Sequence, residues 1–345
     1  MPGVSYSVVI VNYNGGGYLQ KAVDSLAVQT NQDFELIVID NASSDESMNQ
    51  LDTSALSKCR IVMNADNLGF SVANNMAAKL ATGRWLVLLN PDAAAEPDWI
   101  EKLDRATQLY PDCRTFTSAQ YDMHNTDVLD GAGDAYLVFG IPWRGGYGQS
   151  LADLPETGHC FSACGAGAVY DRQLFLSLGG FDERFFCYCE DVDLGFRLQL
   201  MGETCIFVRD AVIHHAGSAI SGEGSPFSTY HGTRNRIWTY FKNMPLPLLI
   251  LTLPAHVAIS VYLLIRSILN GRFRSTAQGV WHGIRYVPGI MTDQRWRTTD
   301  RRVSVWALAR TMAWNPLRMG RRATHVRQTP DDFPAAAVLV SDDYR

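Results

Sequence analysis

The first 95 residues repeat one pattern, which restricts the fold more than any other feature of the chain. Each repeat is a short apolar run, then a polar loop, then a stretch with apolar residues at helical spacing. The apolar runs lie at residues 8–11, 34–39, 61–62 and 85–89, and helical stretches lie at 18–26 and 71–82. Strands that alternate with helices in this way are typical of an α/β fold. The sequence therefore predicts a mainly parallel central sheet flanked by helices.

Polar side chains lie at the ends of these four units: Asn12, Asp40, Asn67 and Asp92. Ligands of parallel sheets bind where loops leave the carboxyl ends of the strands. Turn chemistry explains any one of these residues, because Asn and Asp side chains bond their own backbone. Four of them along one edge favour a polar ligand that is rich in hydroxyl groups.

Three carboxylates cluster later, in the segment FFCYCEDVDLGFR at 185–197. Asp193 is explained by a helix start, where acidic residues are favoured, and by an i,i+4 ion pair with Arg197. Glu190 and Asp191 directly follow an apolar run, so at least one of them should lie at the edge of a poorly solvated site. Carboxylates in such places usually have a partner or a chemical task.

Asp92, Asp191 and His214 are distant in sequence, but each is predicted at the end of a helix or strand. One carboxylate, one histidine and a diphosphate are sufficient for Mg²⁺ or Mn²⁺, and Mn²⁺ tolerates imidazole better. The other interpretation is that His214 and His215 are an ordinary pair at a strand end. A Gly-rich stretch at 131–148 is predicted to be a loop, either a lid or an acceptor-binding loop.

The C-terminal third differs in composition from the rest of the chain. Residues 246–265 contain no charged side chain, and residues 266–327 hold 13 arginines against two aspartates. Pro254 and His256 interrupt the apolar stretch, so a buried helical hairpin is one interpretation. The neighbouring arginines favour the other, a membrane-surface or re-entrant segment that contacts anionic lipid. A nucleic-acid partner is not expected, because no stacking platform or nucleic-acid motif is recognisable.

Cysteine spacing and the N-terminal residues bear on the compartment. The seven cysteines show no paired CxxC spacing, which is typical of reduced cytosolic thiols. The first residues, MPGVSYSVVIVNYN, lack the basic region of a signal peptide. A cytoplasmic protein is therefore expected, peripheral or re-entrant at the inner face of the cell membrane.

Six segments in this order carry a family resemblance: NYNGGGYL, VIDNASSD, NLGFSVANN, LLNPDA, GGFDERFFCYCEDVDLGFRLQLMG and IHHAGSA. Together they resemble the family 2 inverting glycosyltransferases, particularly the rhamnosyltransferase-like branch that builds bacterial surface polysaccharide. The resemblance covers about residues 5–245. It implies a GT-A fold, a nucleotide-diphosphate sugar donor, a glycan or polyprenyl-linked acceptor, and a metal-dependent enzyme of the hexosyltransferase class.

The resemblance also implies roles for individual residues. Asp191 looks like the catalytic base, and Glu190 would bond the acceptor or orient the loop. Asp92 would reach the cation together with His214, with His215 as the alternative. The donor side would be formed by Asn12, Tyr13, Asp40, Asn67, Asn74 and Arg234.

The expected organisation is a glycosyltransferase domain at 1–244, divided into a nucleotide-binding half at about 1–95 and an acceptor half at 96–244. A helical, membrane-associated extension would follow at 245–327, and a flexible tail at 328–345. Two rival hypotheses are a non-catalytic membrane-associated scaffold that binds nucleotide sugars and a nucleotidyltransferase. The second would need a basic triphosphate-binding loop, and NYNGGGYLQK offers only Lys21.

Overall fold

A computed structural model describes residues 4–217, 222, 224–293 and 301–328. The first half holds eleven strands: β1 (Tyr6–Asn12), β2 (Phe34–Asp40), β3 (Cys59–Met63), β4 (Trp85–Leu88), β5 (Ala93–Ala95), β6 (Thr115–Asp122), β7 (Leu129–Ala132), β8 (Asp134–Leu137), β9 (Ile141–Arg144), β10 (Gly158–Cys160) and β11 (Ala168–Asp171). Its helices are α1 (Gly16–Ala27), α2 (Gly69–Leu80), α3 (Trp99–Leu109) and α4 (Arg172–Ser177).

The second half is mainly helical. Its elements are α5 (Glu190–Leu200), β12 (Cys205–His215), α6 (Pro226–Asn243), α7 (Leu246–Leu269), α8 (Phe273–Arg285), α9 (Val287–Thr292), α10 (Val305–Thr311), α11 (Pro316–Gly320) and β13 (Arg327–Gln328). Short 3₁₀ helices lie at Leu151–Asp153 and Glu183–Phe185.

One large sheet forms the centre, with strand order β13-β10-β12-β6-β11-β4-β1-β2-β3. The pairs β1–β2, β1–β4 and β2–β3 are parallel, as the sequence predicts. Beyond β4 the sheet is mixed, since β11 is antiparallel to both β4 and β6. The predicted α/β class with helices on the sheet faces is therefore confirmed.

The apolar run of β1 forms a central strand because both of its faces are covered. Val8 and Ile10 pack in one core cluster with α1, through side chains such as Leu19. Val9 and Val11 pack in another cluster with the alanines of α2. A strand buried on both faces needs continuous rather than alternating apolar residues, which is the pattern the sequence shows.

Two sequence expectations are wrong in detail. Residues 131–148 are not a loop: they form the end of β7 and the β8–β9 pair, with turns at Gly133 (φ +71°) and Gly140 (φ +85°). The sequence also predicts a strand over residues 204–208, with His214 and His215 after it. This strand instead continues to His215, because a register shift between Val208 and Val212 restores its pairing with β6. His214 and His215 therefore lie on the strand and not after it.

Helix α7 confirms the predicted apolar helix in the C-terminal third. Of the helices described, it is the one long and apolar enough to cross a membrane, and 22% of its most apolar stretch is buried. A helix with so little of its apolar stretch buried does not fit the interpretation of this segment as a buried helical hairpin. The side chain of His256 faces the protein, where its Nδ1 lies 2.9 Å from the Phe139 carbonyl oxygen. Strand β13 then pairs with β10, so the chain returns to the sheet. The predicted tail lies outside the described residues except for Gln328.

Candidate active site

The polar ends of the first two strands meet at one edge of the sheet. β1 and β2 are parallel partners, so Asn12 lies beside Asp40. Asn12 Nδ2 donates to Asp40 Oδ1 over 2.8 Å, and the Asp40 carboxylate also accepts from the N–H and the hydroxyl of Ser43. Both side chains are fully buried. Asp40 thus holds the loop after β2, and in this structure it presents no exposed oxygen to a ligand.

The other donor-side residues predicted near this edge differ in what they offer a ligand. Tyr13 is 42% exposed. Asn67 Oδ1 accepts from the Gly69 N–H at the start of α2 (3.0 Å), and Asn74 is buried and donates to a carbonyl one turn earlier on that helix. Asn12 Oδ1 is a buried acceptor without a hydrogen-bond partner among the described residues. Tyr13 is therefore the best exposed of these groups to meet a ligand, while the unpaired Asn12 Oδ1 is as buried as Asp40 and would meet a ligand only after a local shift.

His215, and not His214, lies beside Asp92. The end of β12 pairs with β5, which places residue 215 opposite Ala93. His215 Nε2 lies 3.2 Å from Asp92 Oδ1, and its Nδ1 lies 2.7 Å from Asp130 Oδ2. Burial alone would lower the pKa of His215, but the two carboxylates more than offset it and the pKa is raised. The imidazole is thereby fixed in orientation between two acids.

His214 occupies the opposite face of the strand, because successive side chains of a strand alternate. Its Nε2 lies 2.5 Å from Glu96 Oε1, and its ring contacts the edge of Tyr121. The expectation that His214 accompanies Asp92 is therefore not supported by this geometry, and the alternative, His215, is. The sequence could not separate the two, since the choice depends on the register after the shift in β12.

A cavity of about 270 Å³ opens near the Asp92–His215 pair. It is near the small end of the range for ligand sites. Asn90 lies on its wall, and Asn90 Nδ2 is 3.3 Å from His215 Nε2. Eight charged or titratable side chains share the wall: Asp134, Arg144, Cys164, Cys187, Tyr188, Cys189, Glu190 and Asp191. Asn90 therefore links the cavity wall, with the acidic start of α5, to His215 of the Asp92–His215 pair.

Asp191 is held on the cavity wall by the backbone. Its Oδ2 accepts from the Gly165 N–H (2.9 Å) and its Oδ1 from the Val192 N–H (2.8 Å). The carboxyl group is partly open to the cavity but surrounded by protein, and this burial raises the pKa of Asp191. Burial, with the charge of Asp191, raises the pKa of Glu190 well above its usual range. Asp191 is the easier of the two to ionise, because backbone hydrogen bonds favour its charged form.

Sequence reasoning missed two cavity residues, Asp134 and Arg144. They are register partners in the β8–β9 pair, and Arg144 also forms an ion pair with Asp130. Burial and the charge of Asp191 raise the pKa of Asp134 well above its usual range. The available signal was weak: charged residues spaced along an apolar, Gly-rich segment. Their place in the site depends on a cross-strand register that the sequence did not show.

One group of cavity side chains has the composition of a metal site. Ligand atoms of Asp134, Cys164 and Asp191 lie within 4.8 Å of one another. A thiol sulfur is a soft ligand, however, whereas Mg²⁺ and Mn²⁺ prefer oxygen ligands and Mn²⁺ also tolerates imidazole. Asp92 and His215 form the better candidate.

Asp193 belongs to a buried ion-pair network and is not on the cavity wall. The predicted pair with Arg197 is present, with Nε 3.0 Å from the carboxylate. Lys242 Nζ lies 2.8 Å from both Asp193 and Asp182, and Asn243 donates to Asp193 over 2.7 Å. This network joins α5 to α6.

Arg234 is occupied by protein groups. Its guanidinium donates to the carbonyls of Arg184 and Phe185 and lies over the ring of Trp238, 4.2 Å from the ring centre. Burial lowers the pKa of Arg234. These contacts do not bring it to Asn12 or Asp40, so its predicted place on the donor side has no support from the geometry.

A parallel half-sheet with a polar edge, beside a cavity lined with carboxylates, fits the GT-A fold that the sequence motifs predict. Residues 7–179 match Glycosyl transferase family 2, and the chain belongs to that family. The family and fold that the sequence motifs predict are thus confirmed.

Two relatives with named roles are similar in sequence to this chain. It is 30% identical over 234 residues to the N-acetylglucosaminyl-diphospho-decaprenol L-rhamnosyltransferase of Mycobacterium tuberculosis. This alignment covers 60% of this chain and 75% of that protein. It is 28% identical over 236 residues to the O-antigen biosynthesis protein RfbC of Myxococcus xanthus, covering 65% of this chain and 18% of RfbC.

Solved structures support the fold. The mannosyltransferase PcManGT from Pyrobaculum calidifontis, in complex with GDP-Man and Mn²⁺, has a TM-score of 0.51 at 17% identity, with 89% of this chain and 86% of that chain covered. GalNAc-T7 with UDP, GalNAc and Mn²⁺ has a TM-score of 0.56 at 18% identity, with 69% of this chain covered. The present chain spans about half of GalNAc-T7, 48%.

Proposed function

We propose that this chain catalyses the inverting transfer of a sugar, with L-rhamnose the first candidate, from a nucleotide-diphosphate donor to a hydroxyl of a glycan or polyprenyl-linked acceptor. The observation that carries the proposal is the position of Asp191 on the wall of the cavity that Asn90 joins to His215 and Asp92. The family match ends at residue 179, so the role of Asp191 rests on geometry and on the motif. The sugar and the lipid-linked acceptor are suggested by the name of the mycobacterial relative.

Asp191 is proposed as the general base. The acceptor oxygen attacks the anomeric carbon from the face opposite the leaving group. The bond from that carbon to the diphosphate oxygen breaks, and the hydroxyl proton passes to the Asp191 carboxylate. A raised pKa suits a base, because the proton affinity of the carboxylate then lies closer to the working pH. Glu190, buried beside it, is proposed to orient the acceptor-side segment.

Asp92 and His215 are proposed as the ligands of a divalent cation. The pair fits Mn²⁺ or Mg²⁺, because a carboxylate and an imidazole lie side by side and Asp130 fixes the ring from its other nitrogen. When bound, such a cation neutralises charge on the leaving diphosphate. Tyr13 is proposed to contact the base or ribose at the sheet edge, near Asn12 and Asp40.

The C-terminal helices are proposed to lie on an anionic membrane surface at the inner face of the cell membrane. The outward face of α7 is apolar, with Leu246, Ile250, Val257, Val261 and Ile265 exposed, and Trp281 on α8 is exposed as well. Arg266, Arg274 and Arg285 are exposed on the same two helices. Apolar anchors beside arginines are the features that attract a helix to anionic lipid.

The donor site is tested by thermal unfolding of the purified chain with a panel of nucleotide diphosphates and their sugars, with and without Mn²⁺. A ligand that binds only the folded state raises the melting temperature. We expect a shift that needs both the metal and one nucleotide, followed by sugar transfer to a prenyl-diphosphate-linked acceptor. No shift with any member of the panel would favour the scaffold hypothesis instead.

Membrane binding is tested separately by sedimentation with vesicles. We expect binding to vesicles that contain an anionic lipid and little binding to neutral phosphatidylcholine vesicles. Replacing Arg266 and Arg274 by Gln should weaken the binding by about 1 kcal/mol per arginine. Equal binding to both kinds of vesicle would contradict the electrostatic part of the proposal.

A further inference from the structure

The segment directly before Asp191 has an unusual backbone. Phe186 (φ 67°), Tyr188 (φ 73°) and Cys189 (φ 63°) all have positive φ, although none of them is glycine. The described part of the chain has six non-glycine residues with positive φ, and three of them lie within residues 186–189. Conformations of this kind are costly for side chains with a Cβ, and they persist only where the surroundings hold them. Something must therefore hold residues 185–189.

Asn235, on α6, makes the contacts that hold this segment. The residue is fully buried. Its Nδ2 lies 2.9 Å from the Phe185 carbonyl oxygen, 2.9 Å from that of Cys187 and 2.7 Å from that of Tyr188. An amide has two N–H hydrogens, so one of them is shared between two carbonyls. Asn235 is thus a donor clamp on three of the five residues.

The orientation of the Asn235 amide is itself fixed. Arg234 Nε donates to Asn235 Oδ1 over 2.8 Å, which leaves Nδ2 to face the carbonyls. Arg234 also donates to the Phe185 carbonyl through Nη2. On the other side of the segment, the Ser71 N–H of α2 donates to the Phe186 carbonyl over 3.2 Å. The segment is therefore held between α6 and the start of α2.

We propose that Asn235 is a positioning residue of the transferase: it holds residues 185–189 in their strained conformation and so keeps Asp191 on the cavity wall. The inference rests on the proposed role of Asp191 as base. It also gives Arg234 and Asn235 a role on the acceptor side, in place of the donor-side role that the sequence predicts for Arg234.

The segment contains its own reporters, Cys187 and Cys189. Both thiols are partly buried, and burial raises their pKa well above the usual range, so they should react slowly with a maleimide. In Asn235→Ala we expect both to react about tenfold faster, because local opening exposes them. Cys59, on β3, serves as the internal reference and should not change. The readout is peptide mass spectrometry of the labelled protein and does not require a substrate.

Activity gives the second readout, with Asn243→Ala as the matched control. Asn243 is also a buried asparagine of α6, but its amide donates to Asp193 and not to residues 185–189. We expect Asn235→Ala to lower the transfer rate per folded enzyme by about 10²-fold, since small misplacements of a catalytic group have effects of that size. Donor-induced stabilisation should persist. Asn243→Ala should change the melting temperature but keep wild-type labelling of both cysteines.

Rescue separates positioning from a general loss of structure. Cys189→Gly removes the penalty of positive φ, so in the Asn235→Ala background it should restore about tenfold in rate. If Asn235→Ala does not accumulate as folded protein, Asn235→Asp keeps the size of the side chain and replaces the donor, and the same labelling is expected. Labelling and rates in Asn235→Ala that equal those of Asn243→Ala would overturn the proposal. A wild-type chain without transferase activity would instead refute the proposed function, while the labelling would still report on the clamp.

Discussion

Asp191 and Asp193 lie two residues apart in the first turn of α5, yet their surroundings are opposite. Asp193 is fully buried and has three partners with donor protons, on Arg197, Lys242 and Asn243. Asp191 lies on the cavity wall with backbone N–H groups as its hydrogen-bond donors. Burial raises its pKa. The same residue type at the same helix start is thus fully paired in one case and left with a preference for a proton in the other.

The comparison shows how stability and chemistry are divided within one turn of helix. A carboxylate with a raised pKa makes the folded state less stable once it is ionised, because its charged form is disfavoured there. A carboxylate in a buried ion pair becomes a structural requirement, since loss of one partner leaves the other unpaired. We therefore expect substitutions of the two residues to separate activity from stability.

The largest effect is expected for Asp191→Asn. The amide keeps the shape of the side chain but cannot accept the acceptor proton, so transfer should fall by about 10²–10⁴-fold. The melting temperature should change little, because the removal of an unfavourable buried charge is offset by the loss of one of the two backbone hydrogen bonds, which an amide NH₂ cannot accept. Initial rates and thermal unfolding of the same preparation test both statements. A normal transfer rate would show that another group is the base.

On the other side of the helix, Lys242→Met should act on stability. It leaves Asp182 and Asp193 without their shared ammonium group and should destabilise the fold by about 3–5 kcal/mol. Lys102→Met is the matched control: its pair with Asp98 is partly exposed and should matter by less than about 1 kcal/mol. Urea unfolding measures both variants. Similar values for the two would mean that the buried network contributes no more than a surface pair.

The pairing of His215 with Asp92 as a metal site is tested by replacing each of the two adjacent histidines in turn. His215→Asn should weaken Mn²⁺-dependent donor binding by about 10–100-fold, as losses at metal sites usually do. His214→Asn removes contacts with Glu96 and the Tyr121 ring, away from Asp92, and should leave donor affinity within about twofold. Titration calorimetry with and without Mn²⁺ distinguishes them. The reverse order would restore the assignment that the sequence favoured.

A smaller and more specific effect is expected in the pH profile. Asp191 must be ionised to act as a base, so the rate should fall as the pH falls through its pKa. Because burial raises that pKa above the ordinary 3.8, the acid limb should lie above the pH range of an ordinary aspartate. A profile of kcat against pH, with folding checked at each pH, tests this. Full activity down to the ordinary range would contradict the burial argument.

The strands of the parallel half-sheet were predictable because continuous apolar runs and the polar residues after them are local in sequence. The start of α5 and the pair of Asp193 with Arg197 were predictable for the same reason. The choice of His215 over His214 was not, because it depends on a register shift in β12. Arg144 and Asp134 were missed because they meet through strand pairing. The contact of Asn235 with residues 185–189 joins positions almost fifty apart, and the sequence gives no sign of it.

The stereochemistry of transfer tests the central claim most directly. A base that activates the acceptor hydroxyl for a single displacement must invert the configuration at the anomeric carbon. The one-bond coupling between C1 and H1, followed by NMR in the first product formed from a donor of known configuration, reports that configuration. We predict inversion in the wild-type product and no product with Asp191→Asn. Retention of configuration would contradict the account, because it requires a step on the sugar other than direct attack by the acceptor.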